Sequence, residues 1–243
     1  MIVRTLVALG LAVSACPALA DTTAVYSIGD GDFAMTMTVE IADNGDVRSQ
    51  MSGPIVEKMP KRVAIYSITR GGEDFMINET PDGVSVFRMS DAMTVMAEGW
   101  AKAREQTGAP EDEADVPDLA LVARGEQTVN GRSGTAYYLR SEKKKTEPVL
   151  VISRDPALAQ LGRTMARQFG RSMVGMQSMG VSAKPDDSML KALNEGAPLL
   201  FGGMARLQTV RHDPVSAARF VLPAEPKTLD EVRTLMTRKP PAR

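Results

Sequence analysis

Apolar and polar residues alternate over most of residues 22–88, and turn residues interrupt the alternation at short intervals. This alternation indicates half-buried antiparallel strands, because successive side chains of a strand point to opposite faces. In the segment 33–41 one face carries Phe33, Met35, Met37, Val39 and Ile41. The turn Asp43-Asn44-Gly45-Asp46 follows, and Asn-Gly is a strong hairpin signal because it readily takes positive φ. We therefore expect a strand at 33–41 and its return strand at 47–51.

The same pattern continues along the chain with one helical interruption. Strands are predicted at 62–69, 73–78 and 84–89, each next to Gly, Pro or Asp turn residues. A helix is predicted over 90–104, where Met93, Met96, Trp100 and Ala103 recur at helical spacing. Strands resume at 119–126, 134–140 and 148–153. The chain is thus expected to form a meander that continues on both sides of the helix.

A long helix is predicted to begin at Asp155-Pro156, since Asp caps helices and Pro favours their first turn. The helix is expected to reach Met179, although Gly162 and further glycines weaken it. A shorter helix at 187–194, a strand pair at 205–211 and 217–222, and a terminal helix at 228–237 complete the predicted elements.

One side of the long helix is a methionine-rich stripe. Residues within an arc of about 120° on a helical wheel are Leu158, Leu161, Met165, Phe169, Met173, Met176 and Met179. Arg163, Arg167 and Arg171 lie on the opposite side, which is typical of a solvated face. A stripe of this width is what a helix lying on a sheet presents to the core, and this is the interpretation that we favour.

Two other interpretations of the methionines stay open. Met173, Met176 and Met179 match a thioether pattern for Cu(I), but they extend about 9 Å along a regular helix and reach one ion only if the helix breaks. Alternatively, methionine lines adaptable apolar surfaces. The residues that would then enclose a ligand cavity are Met35, Met37, Met76, Met165, Phe169, Met173 and Met176.

Composition and charge exclude several functions. The chain has 29 Lys and Arg against 30 Asp and Glu, which leaves no electrostatic footprint for nucleic acid. It contains 16 methionines but only six Phe, four Tyr and one Trp, so methionine is a main filler of the interior. The one histidine, His212, stands beside Asp213 without any nucleophile motif. We expect no enzyme and no cofactor.

The first twenty residues have the pattern of a secretory signal peptide. Arg4 precedes an apolar run from Leu6 to Val13, and Ala18-Leu19-Ala20 is a cleavage signal. Cleavage there makes Asp21 the first residue and removes Cys16, the only cysteine. Val13-Ser14-Ala15-Cys16 also resembles a lipobox, so an outer-membrane lipoprotein anchored at Cys16 is the alternative. We expect a periplasmic protein without a membrane span.

Residues 21–239 are expected to form one domain, with an acidic surface loop at 108–118 and a flexible tail at 240–243.

The order of several strand segments in this domain resembles that of a known family. Thr128-Val129-Asn130-Gly131 precedes a Tyr-containing strand at 136–140, and a strand at 149–154 ends on Ser153-Arg154-Asp155-Pro156. In this order the segments resemble the LolA/LolB-like lipoprotein-carrier superfamily, in particular its exported domains of unknown function. The likeness covers 22–153 and the Leu222-Pro223 ending.

The resemblance implies an α+β fold: a curved, mainly antiparallel half-barrel sheet covered by helices and enclosing an apolar cavity. It further implies a non-enzymatic protein that binds an apolar ligand, a lipid or a lipidated partner, with possible peripheral association to the envelope. The long Met/Arg helix and the acidic loop have no counterpart in the carriers. The resemblance therefore supports the predicted fold more strongly than the predicted activity. A copper-binding protein and a structural module of the cell envelope are the alternatives.

Overall fold

The computed structural model describes residues 21–57, 64–107, 120–141, 147–178 and 187–237. Within these residues eleven strands form a single sheet. The strands are β1 (Thr22–Ile28), β2 (Met35–Ile41), β3 (Val47–Ser52), β4 (Ala64–Arg70), β5 (Glu73–Thr80), β6 (Gly83–Arg88), β7 (Leu121–Val129), β8 (Arg132–Leu139), β9 (Leu150–Ser153), β10 (Ala197–Phe201) and β11 (Ala205–Arg211). The helices are α1 (Pro54–Glu57), α2 (Met89–Thr107), α3 (Ala159–Ser178), α4 (Asp187–Glu195) and α5 (Leu229–Thr237).

The sheet order is β6-β5-β4-β3-β2-β1-β11-β10-β9-β8-β7. All neighbouring pairs are antiparallel, and the first and last strands, β1 and β11, pair at the centre. The strands β1–β6 form the predicted meander on one side of this seam. The sheet is not closed, because the edge strands β6 and β7 stand at its two ends. The prediction of an α+β protein with a large, mainly antiparallel sheet is confirmed.

Turn chemistry fixes the meander as the sequence predicts. The β2–β3 hairpin turns at Asn44-Gly45, where Gly45 has φ +87° and the Ala42 N–H donates to the Asp46 carbonyl at 2.8 Å. The β7–β8 hairpin turns at Asn130-Gly131, both with positive φ. Asn130 Nδ2 also donates to the Leu207 carbonyl at 2.7 Å, which ties this turn to β11.

The strand predicted at 33–41 begins later than expected. Phe33 lies in a 3₁₀ turn, Gly31–Phe33, and 70% of its surface is exposed. Gly29 and Gly31 take positive φ, and the Phe33 N–H donates to the Asp30 carbonyl at 3.2 Å. These local bonds curl the backbone before Met35, so Phe33 does not share the face of Met35 and Met37.

The prediction of a strand pair at 205–211 and 217–222 was half wrong. The first segment is β11, but its partners are β1 and β10, and the second contains a 3₁₀ turn, Ala217–Phe220. The missing partner is β10, whose residues Ala197–Leu200 are all buried. Because both faces of β10 are covered, its sequence shows no alternation from which a strand could be predicted.

Helix α3 crosses the sheet on one face, from β10 towards β5. Near its start, Gly162 packs against the Gly196 backbone so closely that a Cβ at Gly162 would lie 2.6 Å from the Gly196 carbonyl carbon. Gln160 Nε2 donates to the Ala42 carbonyl at the end of β2, at 3.1 Å. About three turns after Gln160, Arg171 Nη1 lies 2.9 Å from Asp74 Oδ1 on β5. The helix therefore covers the strand ends at this side of the sheet.

Residues 212–228, called here the C-terminal strap, run over the opposite face of the meander. The strap begins where the Val215 N–H donates to Asp21 Oδ2 at 2.6 Å. It buries Phe220 near β3 and β4, and Leu222 packs on a cluster made of Tyr66, Ile68, Phe75, Ile77 and Val86. It ends at the sheet edge, where the Lys227 N–H donates to the Val86 carbonyl at 2.8 Å. Helix α5 then packs on α2.

Candidate functional site

The face of β1–β6 that α3 crosses, called here the helix face, can be described row by row from the strand register. The first row, under α3, consists of Thr22, Ile41, Val47, Thr69 and Asp74. The second row consists of Ala24, Val39, Ser49, Ser67, Met76 and Phe87. The third consists of Tyr26, Met37, Met51, Ile65, Asn78 and Ser85, and Ile28 and Met35 lie beyond it. Continuing the β3–β4 register by one residue places Met51 beside Ile65.

On β2 and β3, the burial of side chains on this face falls from the first row to the third. On β2, Ile41 and Val39 are fully buried, whereas Met37 and Met35 are half-buried. On β3, Val47 is buried and 38% of Met51 is exposed. On β2 and β3 the apolar side chains of this face are therefore covered at one end and partly open at the other.

The methionines singled out from the sequence lie around this surface. Met35, Met37 and Met76 share the helix face, in different rows. Met37 and Met165 both pack against the same buried cluster, which includes Ala24, Tyr26, Val39 and Leu161. The structure thus brings sheet and helix methionines to one core, with Met37 and Met165 at its margin.

The other helix residues of the predicted site lie further along α3. Phe169 meets Phe201 of β10 edge to face, with ring centroids 6.0 Å apart. Met173 is half-buried. The side chain of Met176 and all of Met179 lie outside the described residues, and so does most of the copper pattern. Among the residues that the structure describes, no three His, Cys, Asp or Glu side chains gather into a group that could hold a metal ion.

Three polar groups lie on the β4–β6 side of the helix face, beside Met76 and Phe87. Ser67, Asn78 and Ser85 are half-buried there, and Asn78 and Ser85 are directly opposite each other. Asn78 Oδ1 is itself buried and receives no hydrogen bond from the described residues. The sequence analysis did not single out Asn78, although its place on the alternating face of β5, two residues after Met76, was a signal.

A charged network lies on the opposite face, beneath the strap. Glu40 is buried and accepts from Arg48 Nη1 at 3.4 Å and from Arg219 Nε at 2.7 Å. The Arg48 guanidinium stacks over the Tyr66 ring, 4.2 Å from its centroid. Tyr66 donates to Glu79 Oε1 at 2.7 Å. Burial, and then this hydrogen bond, raises the pKa of Tyr66 to about 12.

Two arginines flank the Glu40 carboxylate, Arg48 from β3 and Arg219 from the strap, so the network fastens the strap to the sheet. The Glu40–Arg48 part follows from the predicted β2–β3 register, since these residues are cross-strand neighbours. Arg219 comes from 179 positions further along the chain, so no local pattern could reveal it.

The single histidine has a structural environment. His212 Nδ1 lies 3.2 Å from Thr22 Oγ1, and this hydroxyl donates to Gln160 Oε1 at 2.7 Å. Thr22 is buried, with 1% of its surface exposed. A buried hydroxyl that already donates its proton is poorly placed to attack a substrate. The contact joins β1, the strap and α3 at the end of the sheet.

A second charged cluster holds α4 to the sheet. Glu195 at the end of α4 accepts from Arg154, and Tyr137 of β8 donates to the same oxygen at 3.2 Å. The Arg154 hydrogen bond holds the pKa of Glu195 below its usual range, against the opposing effect of burial. Burial and Glu195 together raise the pKa of Tyr137. These bonds hold the C-terminal end of α4 to β8 and to the residue that follows β9.

A depression of about 330 Å³ lies on α5. Its described lining is Lys227, Asp230, Glu231, Thr234 and Leu235. Glu231 also caps α5, because it accepts from the N–H and hydroxyl of Thr228 at 2.8 and 2.9 Å. The depression shares no described residue with the apolar surface described above.

Within the described residues, none of the helices combines the length and apolarity that crossing a bilayer requires. Comparisons of the chain with protein-family models, with curated proteins and with solved structures found no match.

Proposed function

We propose that this protein binds an apolar ligand, a lipid or a lipidated partner, on the helix face of a half-barrel sheet, and that it does so without catalysis. The observation that carries this proposal is the loss of burial along β1–β3. Val39, Ile41 and Val47 are covered by α3, while Met35, Met37 and Met51 on the same face are partly open. Apolar side chains in an open concave face are the usual lining of ligand sites.

Side-chain chemistry supports an irregular apolar guest. Met35, Met37 and Met51 lie on the same face of the sheet, and Met165 of α3 packs against the same buried cluster as Met37. Methionine is unbranched and polarizable, so a methionine-rich surface adapts to guests of different shape. The open sheet, with separate edges at β6 and β7, is consistent with the half-barrel that the lipoprotein-carrier resemblance implies.

The proposed cellular location is the periplasm. Strand β1 begins at Thr22, so the signal cleavage expected after Ala20 removes no residue of the sheet. Asp21, the expected first residue, accepts from the backbone N–H groups of Asp43 and Val215 at 2.9 and 2.6 Å. The alternative is a lipoprotein anchored in the outer membrane at Cys16. Mass analysis of the N terminus of protein isolated from its own cell envelope distinguishes the two locations.

A charge placed on the helix face tests the binding proposal. Met35→Lys puts an ammonium group on the open surface, and Thr36→Lys puts the same group on the opposite face one residue away. Both positions are half-buried, so the two variants are matched in exposure. A ligand that binds only the folded state raises its stability, by about 2.7 kcal/mol at one hundred times the dissociation constant.

We expect dodecanoate or a lysophospholipid to raise the melting temperature of the wild type and of Thr36→Lys, but to raise that of Met35→Lys much less. Differential scanning fluorimetry at rising ligand concentration measures the shifts. Equal shifts for the two lysine variants would mean that the ligand does not bind on the helix face. No shift for the wild type with either ligand would leave the sheet as a scaffold for another kind of partner.

A further inference from the structure

Along its third row, the helix face changes from apolar to polar between β1 and β6. In its third row the side chains on β1–β3 are Tyr26, Met37 and Met51, whereas those on β5 and β6 are Asn78 and Ser85. Ser67 of β4 lies in the neighbouring row. One surface thus presents an apolar part and, three strands from Met37, a polar part. At about 4.8 Å per strand the two parts are about 14 Å apart.

Asn78 Oδ1 is the distinctive group of the polar part. It is buried, and no described residue donates a hydrogen bond to it. Leaving a buried acceptor unpaired costs free energy, and an apolar side chain of similar shape avoids that cost. An unpaired acceptor next to a proposed binding surface is therefore well suited to a donor that arrives with a ligand.

We propose that Asn78 is the polar subsite of this surface and accepts a hydrogen bond from an uncharged N–H or O–H group of an amphiphile. This inference rests on the proposed function and names its ligand class. The acyl chain lies over Met37 and Met51, and the head group reaches Asn78 and Ser85. The favoured class is a lipid with an amide or hydroxyl head group. An ionised fatty acid is disfavoured, because its carboxylate has no proton to donate.

Two ligands with the same chain test the head-group preference. N-dodecanoyl-ethanolamine carries N–H and O–H donors, and dodecanoate at pH 8 carries none. Dissociation constants from displacement of an environment-sensitive fluorescent probe on the purified full protein should favour the ethanolamide by about tenfold, as one added hydrogen bond predicts. Asn78→Leu should reduce this ratio to about one while changing the dodecanoate affinity less than about twofold.

Control variants separate this role from a structural one. Glu73→Gln changes an exposed residue of the same strand on the opposite face and should keep the tenfold ratio. Asn78→Asp, which retains an acceptor, should also keep a preference for the donor ligand. Urea unfolding should show Asn78→Leu to be as stable as the wild type or more stable, because it removes an unpaired polar atom.

Equal affinities of the wild type for the two ligands would overturn the head-group inference and leave the proposed function standing. Loss of stability in Asn78→Leu would also overturn it, since Oδ1 would then have a structural donor. If neither ligand bound to the wild type, both the proposed function and this inference would be contradicted.

Discussion

Single residues beneath the strap are placed in surroundings that change their ionisation. Tyr66 is the clearest case, because burial and its hydrogen bond to Glu79 raise its pKa to about 12, against about 10 for an exposed tyrosine. A raised folded-state pKa means that the neutral form is favoured by folding. The stability from this group is therefore complete below pH about 10 and is lost as the pH rises through about 12.

This shift predicts that Tyr66 stays neutral in mildly alkaline solution. At pH 10.5 the phenolate absorbance of the wild type and of Tyr66→Phe should be almost equal, because a group with a pKa of about 12 is then only slightly ionised. Absorbance near 295 nm measures the difference, with circular dichroism to verify that both proteins are folded at that pH. An excess in the wild type that amounts to most of one phenolate would contradict the prediction.

Whole elements were predictable to the extent that their sequence carried a local signal. Asn44-Gly45 and Asn130-Gly131 predicted two hairpins because only a few residue types accept positive φ at such turns. Strand β10 left no such signal, since both of its faces are buried, and the 3₁₀ turn at Phe33 depends on two glycines that alternation alone does not weigh. The stripe of α3 was predicted from its period, and its first two members, Leu158 and Leu161, are buried as a core-facing stripe requires.

Helix α3 provides a test of packing against helix propensity. Gly→Ala in a helix normally stabilises a protein by about 1 kcal/mol or less. At Gly162 a Cβ would lie 2.6 Å from the Gly196 carbonyl carbon, whereas at Gly170 the nearest atom is Leu190 Cδ1 at 3.8 Å. We expect Gly162→Ala to lower the free energy of unfolding by about 1–3 kcal/mol, as overpacking does. Gly170→Ala should leave it unchanged or raise it.

Urea unfolding of the two glycine variants measures both effects in one helix. The comparison is internally controlled, because the two substitutions change the same propensity and differ only in the space around the new methyl group. If Gly162→Ala were as stable as Gly170→Ala, the close approach of α3 to the Gly196 backbone would be wrong.

The molecule as a whole is assembled from distant parts of the chain. Its central seam joins β1 to β11, and the strap then returns across the sheet to β6. For this reason the sequence could predict which side chains share a strand face, but it could not show which of them other elements would bury. The open position of Met35 and Met37, and the pairing of Glu40 with Arg219, both depend on this long-range assembly.

The last prediction concerns the strap, because the strap packs on the second apolar face of the meander. Phe220 is buried with 4% of its surface exposed, whereas 53% of its neighbour Val221 is exposed. Phe220→Ala should lower the free energy of unfolding by about 3–5 kcal/mol, as removal of a buried phenylalanine does. Val221→Ala, one residue away, should change it by less than about 0.5 kcal/mol.

Loosening the strap should also expose Tyr66, Ile68 and Phe75, so binding of an apolar fluorescent dye should increase in Phe220→Ala before global unfolding. Hydrogen exchange should become faster at the Lys227 N–H, whose bond to the Val86 carbonyl holds the far end of the strap. Unchanged exchange at Lys227 together with lost stability would mean that Phe220 supports the sheet locally and that the strap does not move as a unit.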